Sequence, residues 1–462
     1  MVVSKRPENQ HGAVARWIFP HWIDAMYVAS LLAITPYLVA TRRARHSYAH
    51  ILRRRGNVEV GAGDRPRLWI HGVSVGEVLS VRALVRRIEE SFPGWDLVFS
   101  ATSQAGLSLL RRTFSRHPTF EYPFDFSWAV RRAMHRVRPD MILIIEHELW
   151  PNFLHQARLD GVPVVVVNAQ VSDRSIWGYR LLSRFMEWPS PAIAHFCAQN
   201  RETLERLRQL GVGEDRVTVT GNLKYDNPCE DARDLRAEIG IPRNAWVLTA
   251  ASTHPGEEKM LLDAYHRLTA DRPDCRLILI PRKVDRADEL AGLIRSRGFV
   301  PHRRTMQNGG LPPGADPRGV LVVDTMGELP AFCRTGDAVF VGGTLVPFGG
   351  HNVIEPASLG RPVIIGPHSQ HFRSVVQDFQ RTDAIRIAKD QEDLLEILRK
   401  LQADPPAAAA IGRRACQVVE EHRGASSRTF KVLERVMESI RARSEAAGAP
   451  VRSQHSVATQ TR

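Results

Sequence analysis

Cysteine is scarce in this chain of 462 residues: Cys197, Cys229, Cys275, Cys333 and Cys416 lie scattered without a CxxC pair. An odd number at such spacings argues against a disulfide framework and suits a reducing cytoplasm. Familiar signatures are also missing. The chain has no HExxH, no GxxxxGK[ST] and no GxGxxG, which removes a zincin, a Walker loop and a dinucleotide fingerprint. No segment repeats at a solenoid period. Aromatic residues make up only 7% and are not interleaved with basic ones, which argues against a nucleic-acid surface. What is present is globular material, 43% apolar and 24% charged, enough for two or three domains.

The net charge is +13, a surplus that calls for an anionic partner: phosphate, nucleic acid or an acidic membrane surface. Between Met1 and Arg67 stand eleven Lys/Arg against four Asp/Glu, so the surplus is concentrated at the N-terminus. Within it, Trp22 to Ala40 is an apolar run followed at once by Arg42, Arg43 and Arg45 and then by Arg53 to Arg55. The run approaches the ~20 residues a spanning helix needs, but contains Asp24 and Pro36. Spanning the bilayer, lying in its interface and packing as a core helix are the three readings. The arginines favour a membrane anchor with the remainder on the cytoplasmic side. Leu38-Val39-Ala40 lacks a signal-peptide cleavage pattern.

From Arg67 onward, short apolar runs alternate with helical stretches. Strands are expected at 67–74, 96–101, 141–146, 162–169, 195–198 and 216–221, with helices at 77–91 and 200–210, the latter closed by Gly211. Continuous apolar runs suit parallel strands covered on both faces. A polar stretch, 225–244, is expected to hold a hinge. A second series follows at 246–252, 276–281, 320–325, 338–343, 362–367 and 384–388. The expected organisation is an N-terminal anchor and basic segment (1–50), two Rossmann-like α/β domains facing across a cleft (51–225 and 226–443) and a disordered tail (444–462). Ligands of such sheets bind beyond the carboxyl ends of the strands.

The residues at those ends are polar and glycine-rich. Gly72 to Gly76 matches GxSxG, so Ser74 is a candidate hydrolase nucleophile, although this turn follows the first strand of its domain, not a central one. Glu77 opens the following helix. It reads either as a general base for an alcohol or as a plain first-turn helix charge. Glu146-His147-Glu148 ends another strand, and here a functional acid and a helix-capping acid ahead of Pro151 are equally open. The spacing fits no metal site.

Lys224, in Gly221 to Asp226, is placed to meet a leaving phosphate as a compact charge. The turn Ala251 to Glu257 offers backbone N–H groups to an anion, and Arg282 can fork onto phosphate oxygens. Gly342 to Pro356 offers bare backbone and then a helix carrying Asn352 and Glu355, whose carboxylate can accept both hydroxyls of a ribose. Arg174, Arg180 and Arg184 are candidate phosphate contacts or a solvated face.

Taken in order, HGVSVGE, EHELWPN, NAQVSDRS, GNLKYD, PRK, DTMGEL and GGHNVIEPA resemble the Kdo (3-deoxy-D-manno-octulosonic acid) transferases of lipopolysaccharide assembly, from about Pro36 to Ile440. The resemblance implies a GT-B fold with an N-terminal anchor at the cytoplasmic face of the inner membrane. It implies inverting transfer of Kdo from CMP-Kdo to a lipid A precursor, with no metal or other cofactor and no nucleic-acid partner. It makes Glu77 similar to the family's base and Glu146 and Lys224 similar to its transition-state stabilisers. Pro281, Arg282, Met326, Gly327, Glu328, Asn352, Val353, Ile354 and Glu355 fall on its CMP-binding motifs, and Ser74 and Arg174 fall toward the acceptor. Gln170 stands where an arginine is usual, and Lys283 where a histidine is usual. Another GT-B enzyme using a UDP-sugar, and a serine hydrolase acting through Ser74, are the alternatives.

Overall fold

The computed structural model describes residues 22–33, 35, 54–61, 63–146, 149–171, 176, 178–179, 191–227, 229, 232–306 and 318–446. The chain forms two compact units. One holds residues up to Asn227 together with those from Gly424 onward, and the other holds Pro228–Arg423.

The first unit contains β1 (Arg67–Gly72), β2 (Asp96–Ala101), β3 (Thr119–Glu121), β4 (Met141–Ile145), β5 (Val164–Ala169), β6 (Ile193–Ala198) and β7 (Val217–Val219), in the order β3-β2-β1-β4-β5-β6-β7. Every pairing is parallel. All six residues of β1 are buried, because alternate side chains enter two separate cores. Trp69 joins Ile142, Ile144, Val164 and Val166 on one face. Leu68 and Ile70 join Leu143, Ile145 and Val165 on the other. That second core is completed by Phe430, Leu433 and Met437 of the last helix, Ala425–Ala446.

The second unit contains β8 (Trp246–Thr253), β9 (Cys275–Pro281), β10 (Val300–Arg303), β11 (Gly319–Val322), β12 (Ala338–Val341), β13 (Val363–Ile365) and β14 (Ile385–Ile387), in the order β10-β11-β9-β8-β12-β13-β14. It too is wholly parallel. Leu248, Leu277 and Val320 face one core and Val247, Ile278 and Leu321 the other. Strand order reverses beside β1 and β4 in one sheet and beside β8 and β12 in the other, the points where doubly wound folds bind ligands.

Several expectations change. The final helix belongs to the first unit, so the second does not run on to 443, and helix continues through 444–446 of the expected tail. The helix expected at 77–91 is two, Val75–Ser80 and Arg82–Ser91, broken at Val81. Much of the polar stretch 225–244 is not a free hinge, since Leu235, Ile239 and Ile241 are buried in a core of the second unit. Edge strands β3 and β10 were not expected: one is three residues long and the other reads Val-Pro-His-Arg, a sequence only an edge tolerates. All five cysteines are free thiols.

Of the segment 22–40, residues 22–33 are helical and 34 and 36–40 lie outside the described residues. Among the described residues no helix is long and apolar enough to cross a membrane. The helix at 22–33 is not a core helix either: Trp22, Met26, Val28 and Leu32 are exposed, with Leu32 at 68%. Its polar side is tied down, Asp24 accepting from the Ser127 backbone at 2.9 Å and from Asn152 Nδ2 at 2.9 Å. Tyr27 donates to Asp125 at 2.9 Å. Arg54, from the basic cluster, is buried, donating to the Tyr122 carbonyl at 2.6 Å with its guanidinium 4.2 Å from the Phe124 ring centre.

Candidate active site

Glu77 stands in the first turn after β1. Ser74 caps the helix, accepting from the Glu77 backbone N–H at 3.4 Å, and in return its hydroxyl donates to Glu77 Oε1 at 2.8 Å. The other oxygen, Oε2, accepts from the Val73 N–H at 2.7 Å. This is a capping box reaching one residue further back than usual. Both of these groups donate to the carboxylate. Glu77 is 7% exposed. Gly72 leaves it room: a Cβ there would meet Ile145 Cδ1 at 2.9 Å and lie 3.6 Å from Glu77 Oε2.

The same glycine therefore links Glu77 to the end of β4, where Glu146 begins. Glu146 has φ 65, a left-handed backbone that costs a residue with a Cβ about 1–2 kcal/mol. The turn aims its carboxylate at Lys224, with Nζ 2.8 Å from Oε1. Asn168, at the end of β5 and also left-handed (φ 54), donates to Glu146 Oε1 at 3.4 Å and accepts from the Leu223 N–H at 2.9 Å. Asn168 thus joins the Glu146 carboxylate to the 3-10 turn Leu223–Asp226 that carries Lys224.

That turn is anchored by the returning chain. Asp226 accepts from the Gly424 N–H at 2.7 Å and from the Ser426 N–H, and Arg428 donates to the Thr220 carbonyl at 2.7 Å. Gly221 (φ 95) makes the approach feasible, because a Cβ would meet Arg428 at 2.8 Å. Asn227 ties the turn to the Glu77 helix through the Ser80 carbonyl at 2.8 Å. Glu77, Glu146 and Lys224 therefore belong to one unit and flank its topological switch point.

Ser74 is not built as a hydrolase nucleophile. Its hydroxyl bonds Glu77, while nearby His71 is buried, stacked on Tyr122 at 3.8 Å and held to Ser100 Oγ at 2.9 Å. Burial pushes the His71 imidazole down to about 3, so it stays neutral. Gln170 lines a small apolar recess with Glu146, Leu149, Tyr179 and Phe196. Arg174, Arg180, Arg184, His147 and Glu148 lie outside the described residues.

In the second unit, Pro281 ends β9 and Arg282 follows it, exposed, its N–H on the Thr253 carbonyl at 3.0 Å. Met326 is 64% exposed beside Gly327, whose φ is 93. Glu328 is already bound: Arg304 lies 2.7 Å away and holds its carboxyl below the usual range. Asn352 sits ahead of the helix Ile354–Ser358, not on it, capping the Ile354 N–H at 3.1 Å and donating to Glu355 Oε1 at 3.0 Å. Burial pushes Glu355 up while Asn352 opposes the shift. Val353 and Ile354 are buried, leaving only their backbone to a ligand.

The expected backbone anion cradle is already filled from within. Glu257 is fully buried and accepts from the N–H groups of His254 (3.0 Å), Gly343 (2.7 Å), Thr344 (2.8 Å) and Leu345 (2.9 Å). Burial raises its carboxyl against those four bonds. Beside it, His254 Nε2 lies 2.8 Å from His351 Nε2, and Phe348 stacks on His254 at 4.1 Å. Asn168 and this histidine pair escaped the sequence reading as site residues. Asn168 stood visible at a strand end, whereas a pair 97 residues apart leaves no local signal.

A sequence profile of the 3-deoxy-D-manno-octulosonic-acid transferase (kdotransferase) family matches residues 45–227. The chain is 31% identical over 379 residues to the 3-deoxy-D-manno-octulosonic acid transferase of Haemophilus influenzae, covering 80% of this chain and 87% of that one. It is 32% identical over 433 residues to that of Bordetella pertussis, covering 88% and 98%. Among solved structures, a UDP-GlcNAc 2-epimerase from Neisseria meningitidis shares the fold at 12% identity, with a TM-score of 0.56 over 81% of this chain and all of that one. At that identity the likeness speaks for a GT-B-like pair of α/β units and nothing finer. With relatives above 30% identity along most of its length, the chain belongs to the 3-deoxy-D-manno-octulosonic acid transferase family.

Proposed function

We propose that this glycosyltransferase moves Kdo from CMP-Kdo to a sugar hydroxyl of a lipid A precursor, inverting the anomeric carbon. The observation that carries the reading is the placement of Glu77 and of the Glu146–Lys224 pair on either side of one switch point. As the acceptor oxygen attacks the anomeric carbon, Glu77 takes its proton. The bond from that carbon to the phosphate oxygen breaks, and its electron pair leaves with CMP. Attack opposite the leaving group inverts the centre. Lys224, held by Glu146 and Asn168, supplies positive charge where negative charge develops. Ser74 positions the base. Arg282, the exposed Met326, the Asn352–Glu355 pair and the backbone at Val353 and Ile354 are the groups proposed to hold CMP. Glu328 acts there through the turn it fixes, since its carboxylate is committed to Arg304.

The acceptor is a lipid, and the helix at 22–33 suits a position at the membrane interface on the cytoplasmic face of the inner membrane. Its exposed Trp22, Met26 and Leu32 offer apolar surface. A spanning arrangement would have to draw Asp24 away from Ser127 and Asn152. Thermal unfolding with added nucleotide tests the donor: CMP is expected to raise the midpoint and UDP to leave it unchanged. Protection by UDP alone would favour a UDP-sugar enzyme.

A further inference from the structure

Glu257 occupies the backbone N–H groups of His254, Gly343, Thr344 and Leu345 at the switch point of the second unit, which turns an anion there toward side chains. Those at hand are two imidazoles and their cationic neighbours. His254 and His351 lie Nε2 to Nε2 at 2.8 Å, so one ring donates its N–H and the other accepts it. The loop is shaped around the rings. A Cβ on Gly343 would meet His351 at 3.2 Å, and one on Gly349 would strike His371 at 2.5 Å.

Several cations bear on the pair. Arg282, Arg286 and Lys283 bear on His254, and Arg282 and His371 on His351. Arg286 is offset by Glu258 and Glu289, each at 2.8 Å. Among the described residues neither Arg282 nor Lys283 has an ion-pair partner. Glu257, a carboxylate beside the pair, is spent on backbone N–H groups. Burial and this field lower His254 and push His351 down to about 4, so both imidazoles are neutral at neutral pH and one N–H bridges them. Both rings keep some solvent exposure, so a ligand can reach them.

We propose that His254 and His351 form the seat for the phosphate of the bound cytidine nucleotide, and that the pair takes up a proton from solvent as the anion arrives. The inference rests on the CMP-binding reading of this unit. An anion against the pair offsets the surrounding positive charge and favours the imidazolium, which can donate a charge-assisted hydrogen bond to a phosphate oxygen.

Titration calorimetry of the full chain with CMP and with cytidine decides the matter. It is run at about pH 7.5, where a phosphate monoester with a second pKa of about 6 is already ionised. Two buffers of unlike ionisation enthalpy are used. CMP binding is expected to take up a substantial fraction of a proton, and cytidine binding none. His351→Gln is expected to abolish the uptake and weaken CMP about tenfold while leaving cytidine unchanged. CMP binding to the parent protein without proton uptake overturns the inference alone, and that measurement needs no substituted protein to fold. Equal CMP affinity of parent and His351→Gln does the same. If neither CMP nor cytidine binds the parent, the donor reading falls and the inference with it.

Discussion

The two units place a Gly-Glu pair in the same setting, Gly76-Glu77 after β1 and Gly256-Glu257 after β8, yet the two carboxylates have opposite fates. Glu257 is fully buried and takes four backbone N–H groups, which are fixed and cannot make way for a substrate. Glu77 accepts from the Val73 N–H and from the Ser74 hydroxyl, which can rotate away, and it is 7% exposed. A carboxylate in the first turn after a sheet's first strand is thus a position and not a role. The donors decide whether it holds a loop together or stays available to take a proton from an alcohol. The histidine pair repeats the lesson, since it gains importance once Glu257 has used the backbone around it.

Substitution at each position can break that contrast. Glu77→Gln is expected to lower the rate of Kdo transfer roughly a thousandfold, the middle of the range for loss of a general base, with CMP affinity and unfolding midpoint unchanged. Glu257→Gln is expected to destabilise the second unit by about 3 kcal/mol, read by denaturant unfolding, because an amide oxygen cannot serve the donors that two carboxylate oxygens serve. Equal stability of these two proteins would erase the distinction. Lys224→Met should slow transfer about thirtyfold with little change in CMP affinity, while Glu146 loses its cationic partner.

A third carboxylate sharpens the comparison through pH. Asp125 accepts from the Asn152 and Phe153 N–H groups at 3.0 and 2.9 Å and from Tyr27, and burial pushes it up to about 7. Its unfolded value is near 4, so between these limits the native state keeps a proton that the unfolded chain releases. Stability therefore falls as pH rises through this window. Relative to Asp125→Asn, the parent is expected to lose about 1 kcal/mol on raising the pH by about one unit near pH 6, measured by unfolding at both values.

Much of the fold was legible because parallel strands buried on both faces read as unbroken apolar runs, as in Met141–Ile145 and Val164–Ala169. The edge strands β3 and β10 escaped because they lack that signal; Val-Pro-His-Arg gives none. The return of the last helix to the first unit was hidden, since an amphipathic helix does not declare which sheet it covers. It matters, because Asp226 and Arg428 tie that helix to the Lys224 turn. Glu77, Glu146 and Lys224 were visible as polar residues at strand ends. Their coupling through Asn168 was not, because a left-handed backbone at Glu146 leaves no trace in composition. The glycine run drew attention for bare backbone, yet its N–H groups serve Glu257 and its missing Cβ atoms make room for imidazoles.

The measurement that bears most directly on the account is the mass of a tetra-acylated lipid A precursor after incubation with this protein and CMP-Kdo. The lipid is expected to gain mass in whole Kdo increments, with CMP released in equal amount. An unchanged lipid beside intact CMP-Kdo, or a lipid modified only when a UDP-sugar replaces that donor, would contradict it.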